Sequence, residues 1–97
     1  MRVIAKRTLR ELWRQYVDAK GLLEAWFREV QRANWASPQE IKDRYASASF
    51  VGNDRVIFNI GGNKYRLIVR VNYQYGIVYV RFIGTHADYN RIDVEQV

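Results

Sequence analysis

Residues in the last third of the chain have the chemistry of phosphate work. Arg66 and Arg81 carry flat guanidinium forks that match phosphate oxygens, and Lys64 adds a compact point charge. His86 is the one histidine, a group that moves protons near neutral pH. Tyr89 follows it three residues later, and Asn63 precedes Lys64. Cations that stabilise charge growing on a phosphorane, next to a proton carrier, are what phosphodiester cleavage requires. Singly, each has a plainer use: arginines solvate a sheet, a histidine ends a strand, a tyrosine covers the edge of a core. Whether they act together depends on strand pairing.

The strands that must position them are readable from period-2 alternation. Val56, Phe58 and Ile60 alternate with Arg55, Ile57 and Asn59. Gly61-Gly62 then reads as a two-residue hairpin turn, because glycine supplies the positive φ of primed turns. A second strand is expected over 63–72 and a third over 77–84, joined by a loop at 73–76. With Gly61 and Gly62 as the turn, Ile60 is expected opposite Asn63, Phe58 opposite Tyr65 and Val56 opposite Leu67. Placing Val71 opposite Val78 extends the apolar side through Val69/Val80 and Leu67/Phe82. Lys64, Arg66 and Arg81 then share the other side, with Arg66 and Arg81 as diagonal partners about 7–8 Å apart. A slip by one would bury arginines; a slip by two would keep the faces and change the neighbours.

Helices come first in the chain. A short strand fits residues 1–5. Leu9, Leu12, Trp13, Tyr16 and Val17 then fall on one helical face, with Thr8 and Glu11 at capping-box spacing and a break expected over 18–21. A second helix buries Leu23, Trp26, Phe27, Val30 and Ala33. Ser37-Pro38-Gln39-Glu40 supplies an N-cap, a proline at the first helical position and a capping-box glutamate, which starts a third helix through Ile41 and Tyr45. Trp35 and Tyr45 are expected between helices and sheet. Past Thr85 the tail is polar, with room for one helical turn or a fraying end. The expected fold is α+β: N-terminal helices packed on one face of a small antiparallel β-sheet, the other face left for function.

Composition narrows the chemistry. A length of 97 residues, 48% hydrophobic and 27% charged, fits a single globular domain over 1–97 and excludes wholesale disorder. The absence of cysteine excludes disulfides, thiol catalysis and thiolate metal sites, and one histidine leaves no zinc ligand set. No cofactor is called for. No apolar run approaches the roughly 18 residues of a membrane span, and the start does not read as a secretory leader, so the expected address is the cytoplasm. Twelve arginines and four lysines against ten acids leave +6, a balance suited to nucleic acid or an acidic partner.

Two segments together carry a resemblance. Val56-Ile57-Phe58-Asn59-Ile60-Gly61-Gly62-Asn63-Lys64-Tyr65-Arg66-Leu67 and Tyr79-Val80-Arg81-Phe82-Ile83-Gly84-Thr85-His86-Ala87-Asp88-Tyr89 resemble the HigB-type toxins of the RelE superfamily, small basic endoribonucleases of bacterial toxin–antitoxin pairs. Lys6-Arg7-Thr8-Leu9 and Trp35-Ala36-Ser37-Pro38 are similar to that family as well. The resemblance implies a RelE-like fold and cleavage of messenger RNA, in many relatives on the ribosome. It also implies a HigA-type helix-turn-helix antitoxin that binds the toxin in a hetero-oligomer. Arg66 matches the arginine of the Tyr-Arg-Leu motif, a phosphate or transition-state binder. His86 stands at the post-strand position, and Tyr89 corresponds to a tail aromatic used in stacking or proton transfer. The run of lysines before the central strand is missing here, where Lys64 stands alone.

The leading expectation is therefore a metal-independent endoribonuclease with Arg66, His86 and Tyr89 as catalytic residues and Lys64, Arg81 and Asn63 binding phosphate. A non-catalytic RNA- or ribosome-binding module would use the same basic face. A domain built to bind an acidic or helical protein would not bind RNA at physiological salt.

Overall fold

The computed structural model describes residues 1–4, 6–62 and 64–97, leaving aside the side chains of Lys6, Thr8, Leu9, Leu12 and Trp13. The elements run β1 (Arg2–Ile4), α1 (Lys6–Gln15), α2 (Val17–Arg32), α3 (Pro38–Arg44), β2 (Ser49–Val51), β3 (Arg55–Ile60), β4 (Tyr65–Asn72), β5 (Ile77–Thr85) and α4 (His86–Tyr89). The described strands form one sheet in the order β1-β5-β4-β3-β2, with β1 parallel to β5 and the other pairs antiparallel. This is the expected α+β arrangement, extended by an edge strand, β2, that the alternation pattern did not reveal. β2 is three residues long, too short to show a period.

The helix break lies elsewhere than expected. Tyr16 alone (φ −121°, ψ 88°) separates α1 from α2, and residues 18–21 are helical. A helical glycine costs only about 1 kcal/mol, which burial of the α2 face outweighs. Ala19, Leu23, Trp26, Phe27 and Val30 are buried along that face, whereas Val17, expected to be buried, is exposed at the first position of α2. α3 starts as expected: the Glu40 carboxylate accepts from the Ser37 N–H at 3.1 Å and also from the Ala36 N–H. Phe58 lies at the centre of the core, its ring edge-on to Trp26 (5.5 Å) and Tyr45 (5.0 Å) and stacked with Trp35 (6.3 Å).

Two features of the sheet correct the expected register. Ile60 pairs with Tyr65 and Phe58 with Leu67, so the β3–β4 connection is longer than Gly61-Gly62 alone. The two glycines still take left-handed backbone (φ 65° and 69°). The ladder begins two residues later because Lys64 and Tyr65 are held by α2. The Lys64 ammonium pairs with Asp18, and the Tyr65 hydroxyl donates to the same carboxylate at 2.7 Å. Lys64 is thus drawn to the helical layer and does not share a face with Arg66.

The second correction is a bulge. Val71/Val78 and Val69/Val80 pair as expected, but Ile68 faces Phe82 and Leu67 faces Ile83, leaving Arg81 without a partner across the ladder. Phe82 therefore moves to the far face while Ile83 packs on the core, and the expected diagonal pairing of Arg66 with Arg81 does not form. The far face is also less open than expected. Ile57 and Ile68 are buried there (5% and 0% exposed). The chain's last residues reach the same face, where Arg55 donates to the Val97 carbonyl from Nε (3.1 Å) and Nη2 (2.5 Å).

The Asp18 contact has a pH signature. Hydrogen bonds from Lys64 and then Tyr65 hold the Asp18 carboxyl below its ordinary 3.8. A lowered folded-state pKa contributes stability above the unfolded value that is lost as pH falls through the folded one. Asp18→Asn is therefore expected to lower the melting temperature at pH 7, with the gap to wild type closing below about pH 3.8. A gap independent of pH would deny the carboxylate that role.

Candidate active site

β4 sends Tyr65, Leu67, Val69 and Val71 into the core, so Arg66, Ile68 and Arg70 face the other way. Arg66 pairs with Gly84 of β5, so no side chain stands directly across from it. A Cβ at Gly84 would come within 2.8 Å of Phe82 Cζ, closer than real contacts allow, and within a tight 3.0 Å of Asp88 Cβ. The glycine lets α4 fold back at the end of β5.

α4 is a single turn locked by reciprocal capping. The Asp88 N–H donates to Thr85 Oγ1 (3.2 Å) and the Thr85 N–H to Asp88 Oδ2 (3.1 Å). A turn closed this way puts residues three apart on one side. His86 and Tyr89 meet accordingly, their ring centroids 6.4 Å apart. Tyr89 in turn lies 5.8 Å from the Arg66 guanidinium carbon, within cation–π range. The three expected catalytic residues are thus brought into one cluster, with the Tyr89 ring touching both others. Thr85-x-x-Asp88 is a capping box readable in the sequence, yet the positioning roles of Thr85, Asp88 and Gly84 were not anticipated.

Arg66 is half-buried, and its Nη1 is shielded from solvent without a hydrogen-bond partner among the described residues. A desolvated guanidinium N–H left unmet is unfavourable, and an anionic oxygen would satisfy it. His86 is exposed, open to exchange protons with a bound group. The other phosphate candidates lie apart from the cluster. Lys64 is engaged by Asp18, with its ammonium 5.7 Å from the Tyr65 ring. Arg81 is exposed at the bulge, and Asn63 lies outside the described residues. Among the described residues no group of three or more histidine or acidic side chains is placed to hold a metal ion, and no helix is long and apolar enough to cross a membrane.

The cluster depends on the fold-back at Gly84. Gly84→Ala is expected to push Phe82 and the α4 turn outward, displacing His86 and Tyr89. A misplacement of that kind can lower a turnover rate by about 10²-fold. The variant should remain folded, since the crowded atoms belong to side chains. Circular dichroism with a rate measurement checks both halves; an unchanged rate would deny that α4 placement matters.

The chain as a whole is similar to known proteins. A family model described as HigB toxin, the RelE-like toxic component of a toxin–antitoxin system, matches residues 19–92. The chain is 23% identical over 94 residues to an mRNA interferase HigB of Escherichia coli O6:H1, covering 95% of this chain and 91% of that one. It is 26% identical over 92 residues to the mRNA interferase toxin HigB of Escherichia coli K12, covering 93% and 88%. The mRNA interferase HigB of Shigella flexneri matches with the same identity and coverage.

Proposed function

Because the chain belongs to the HigB toxin family, the RelE-like toxic component of toxin–antitoxin systems, we propose that the Arg66–Tyr89–His86 cluster is the site at which it cuts messenger RNA. The protein is a toxin with an antitoxin partner, and an mRNA-cleaving enzyme akin to relatives named mRNA interferase. The observation that carries the assignment is the Arg66 guanidinium, buried and unpaired at Nη1 and within cation–π range of an aromatic ring beside an exposed histidine.

The reaction needs no group beyond RNA and side chains. The 2′-hydroxyl attacks the adjacent phosphorus while the bond to the 5′-oxygen of the next nucleotide breaks. The products are a 2′,3′-cyclic phosphate and a 5′-hydroxyl. One proton leaves the attacking oxygen and one reaches the departing oxygen. Arg66 stabilises the charge that grows on the non-bridging oxygens, where a pre-placed cation acts most strongly. His86 moves a proton, serving as acid or base. Tyr89 holds the flanking base by stacking and orients the Arg66 fork. Lys64, Arg81 and Asn63 contact neighbouring phosphates, Lys64 by exchanging Asp18 for phosphate. The antitoxin is of the HigA helix-turn-helix type, it forms a hetero-oligomer with the toxin, and cutting takes place on translating ribosomes in the cytoplasm.

The test is induction of the wild type or the Arg66→Ala/His86→Ala double variant in a bacterial culture, with primer extension on a translated messenger. Growth arrest and discrete coding-region cuts from the wild type alone are expected. Arrest by both proteins without cuts would replace the enzyme with a module that stalls translation by occupancy. No arrest from either soluble protein would overturn the toxin mechanism.

A further inference from the structure

On the face that carries Arg66, an open cleft of about 570 Å³ is walled in part by Arg70, Arg81, Tyr79, Tyr73 and Asp54. Arg70 lies four residues along β4 from Arg66, about 13 Å at the rise of a strand, and Tyr79 is its direct partner on β5. Both arginines are exposed, and neither guanidinium has a hydrogen-bond or ion-pair partner among the described residues. Arg55, paired with Arg70 across the ladder, does not compete for the cleft, because its guanidinium is taken by the Asn53 and Val97 carbonyls. Arg81 has no partner across the ladder at the bulge and lines the cleft. Two unpaired forks flanking a half-buried tyrosine ring combine the two elements of single-strand recognition, backbone charge and a stacking platform.

We propose that this cleft holds an RNA nucleotide flanking the scissile phosphate, with Arg70 and Arg81 clamping its phosphate and Tyr79 stacking on its base. Asp54, which repels phosphate, accepts a hydrogen bond from the base edge. The cleft sets affinity and register and takes no part in the chemistry. The proposal rests on the assignment of cleavage to the Arg66 cluster.

The probe is a single-stranded RNA with a 2′-deoxy sugar at the cut position, which binds but lacks the nucleophile. Its affinity is measured by fluorescence anisotropy across a salt series. Arg70→Gln/Arg81→Gln is expected to weaken binding tenfold or more and to reduce the slope of log K against log salt by about 1.4, two single-strand phosphate contacts. Tyr79→Leu weakens binding severalfold with the slope unchanged. Messenger cleavage in a translation mixture should need more of the double variant than of the wild type. Wild-type affinity and slope in the double variant would overturn the proposal. If the wild type leaves messenger uncut, the cleavage assignment fails by itself, while a slope change in the double variant still supports the cleft as an RNA site.

Discussion

Arg66→Leu is expected to lower the rate of messenger cleavage by about 10²–10³-fold, the usual loss when one pre-placed transition-state donor is removed. The same variant should melt at or above the wild-type temperature. The guanidinium is desolvated on Nη1 and unpaired there, so replacing it with a packed apolar group removes a cost. A structural arginine would behave in the opposite way, since breaking its contacts destabilises. Arg66→Lys retains a charge but loses the planar fork and the stacking on Tyr89, and should recover only part of the rate. Cleavage of a translated messenger and thermal melts of the same three proteins separate the cases. A large drop in melting temperature with the rate intact would make Arg66 a scaffold residue.

Phe58→Ala should cost about 3–5 kcal/mol, at the top of the range for core truncations. Phe58 is 1% exposed and touches Trp26, Trp35 and Tyr45, so its ring joins α2, the segment before α3, the end of α3 and the sheet. These large rings cannot all collapse into the space it leaves, which keeps the cavity open. A domain of this size is stable by only about 5–15 kcal/mol, and each kcal/mol shifts its melting point by roughly 4–8 °C. Urea unfolding should therefore show a midpoint far below wild type with a similar slope. A loss under about 1.5 kcal/mol would mean that the aromatic cluster repacks.

How much of this was legible in the chain varies by element. Period-2 alternation located β3, β4 and β5 and, up to Val80 on β5, their apolar faces, because burial of one sheet face imposes that pattern. The Ser37–Glu40 capping box located the start of α3, since its hydrogen bonds are local. Leu23, Trp26, Phe27 and Val30 were read correctly as a buried stripe. The register of the β3–β4 hairpin was not legible. A slip of two leaves both faces unchanged, so the choice fell to a distant residue, Asp18, which holds Lys64 and Tyr65.

The candidate site divides in the same way. Residue types and the Thr85–Asp88 capping pattern, all short-range, determined that an arginine strand ends in a turn bearing His86 and Tyr89. That Arg66 meets Tyr89, that Lys64 is spent on α2, and that Arg81 loses its partner across the ladder were decided only by tertiary structure. The bulge at Arg81 is the clearest case. It exists because the core accepts Ile83 in place of Phe82, a packing choice made by side chains far apart in the chain, and a one-residue shift inside a strand leaves no local trace.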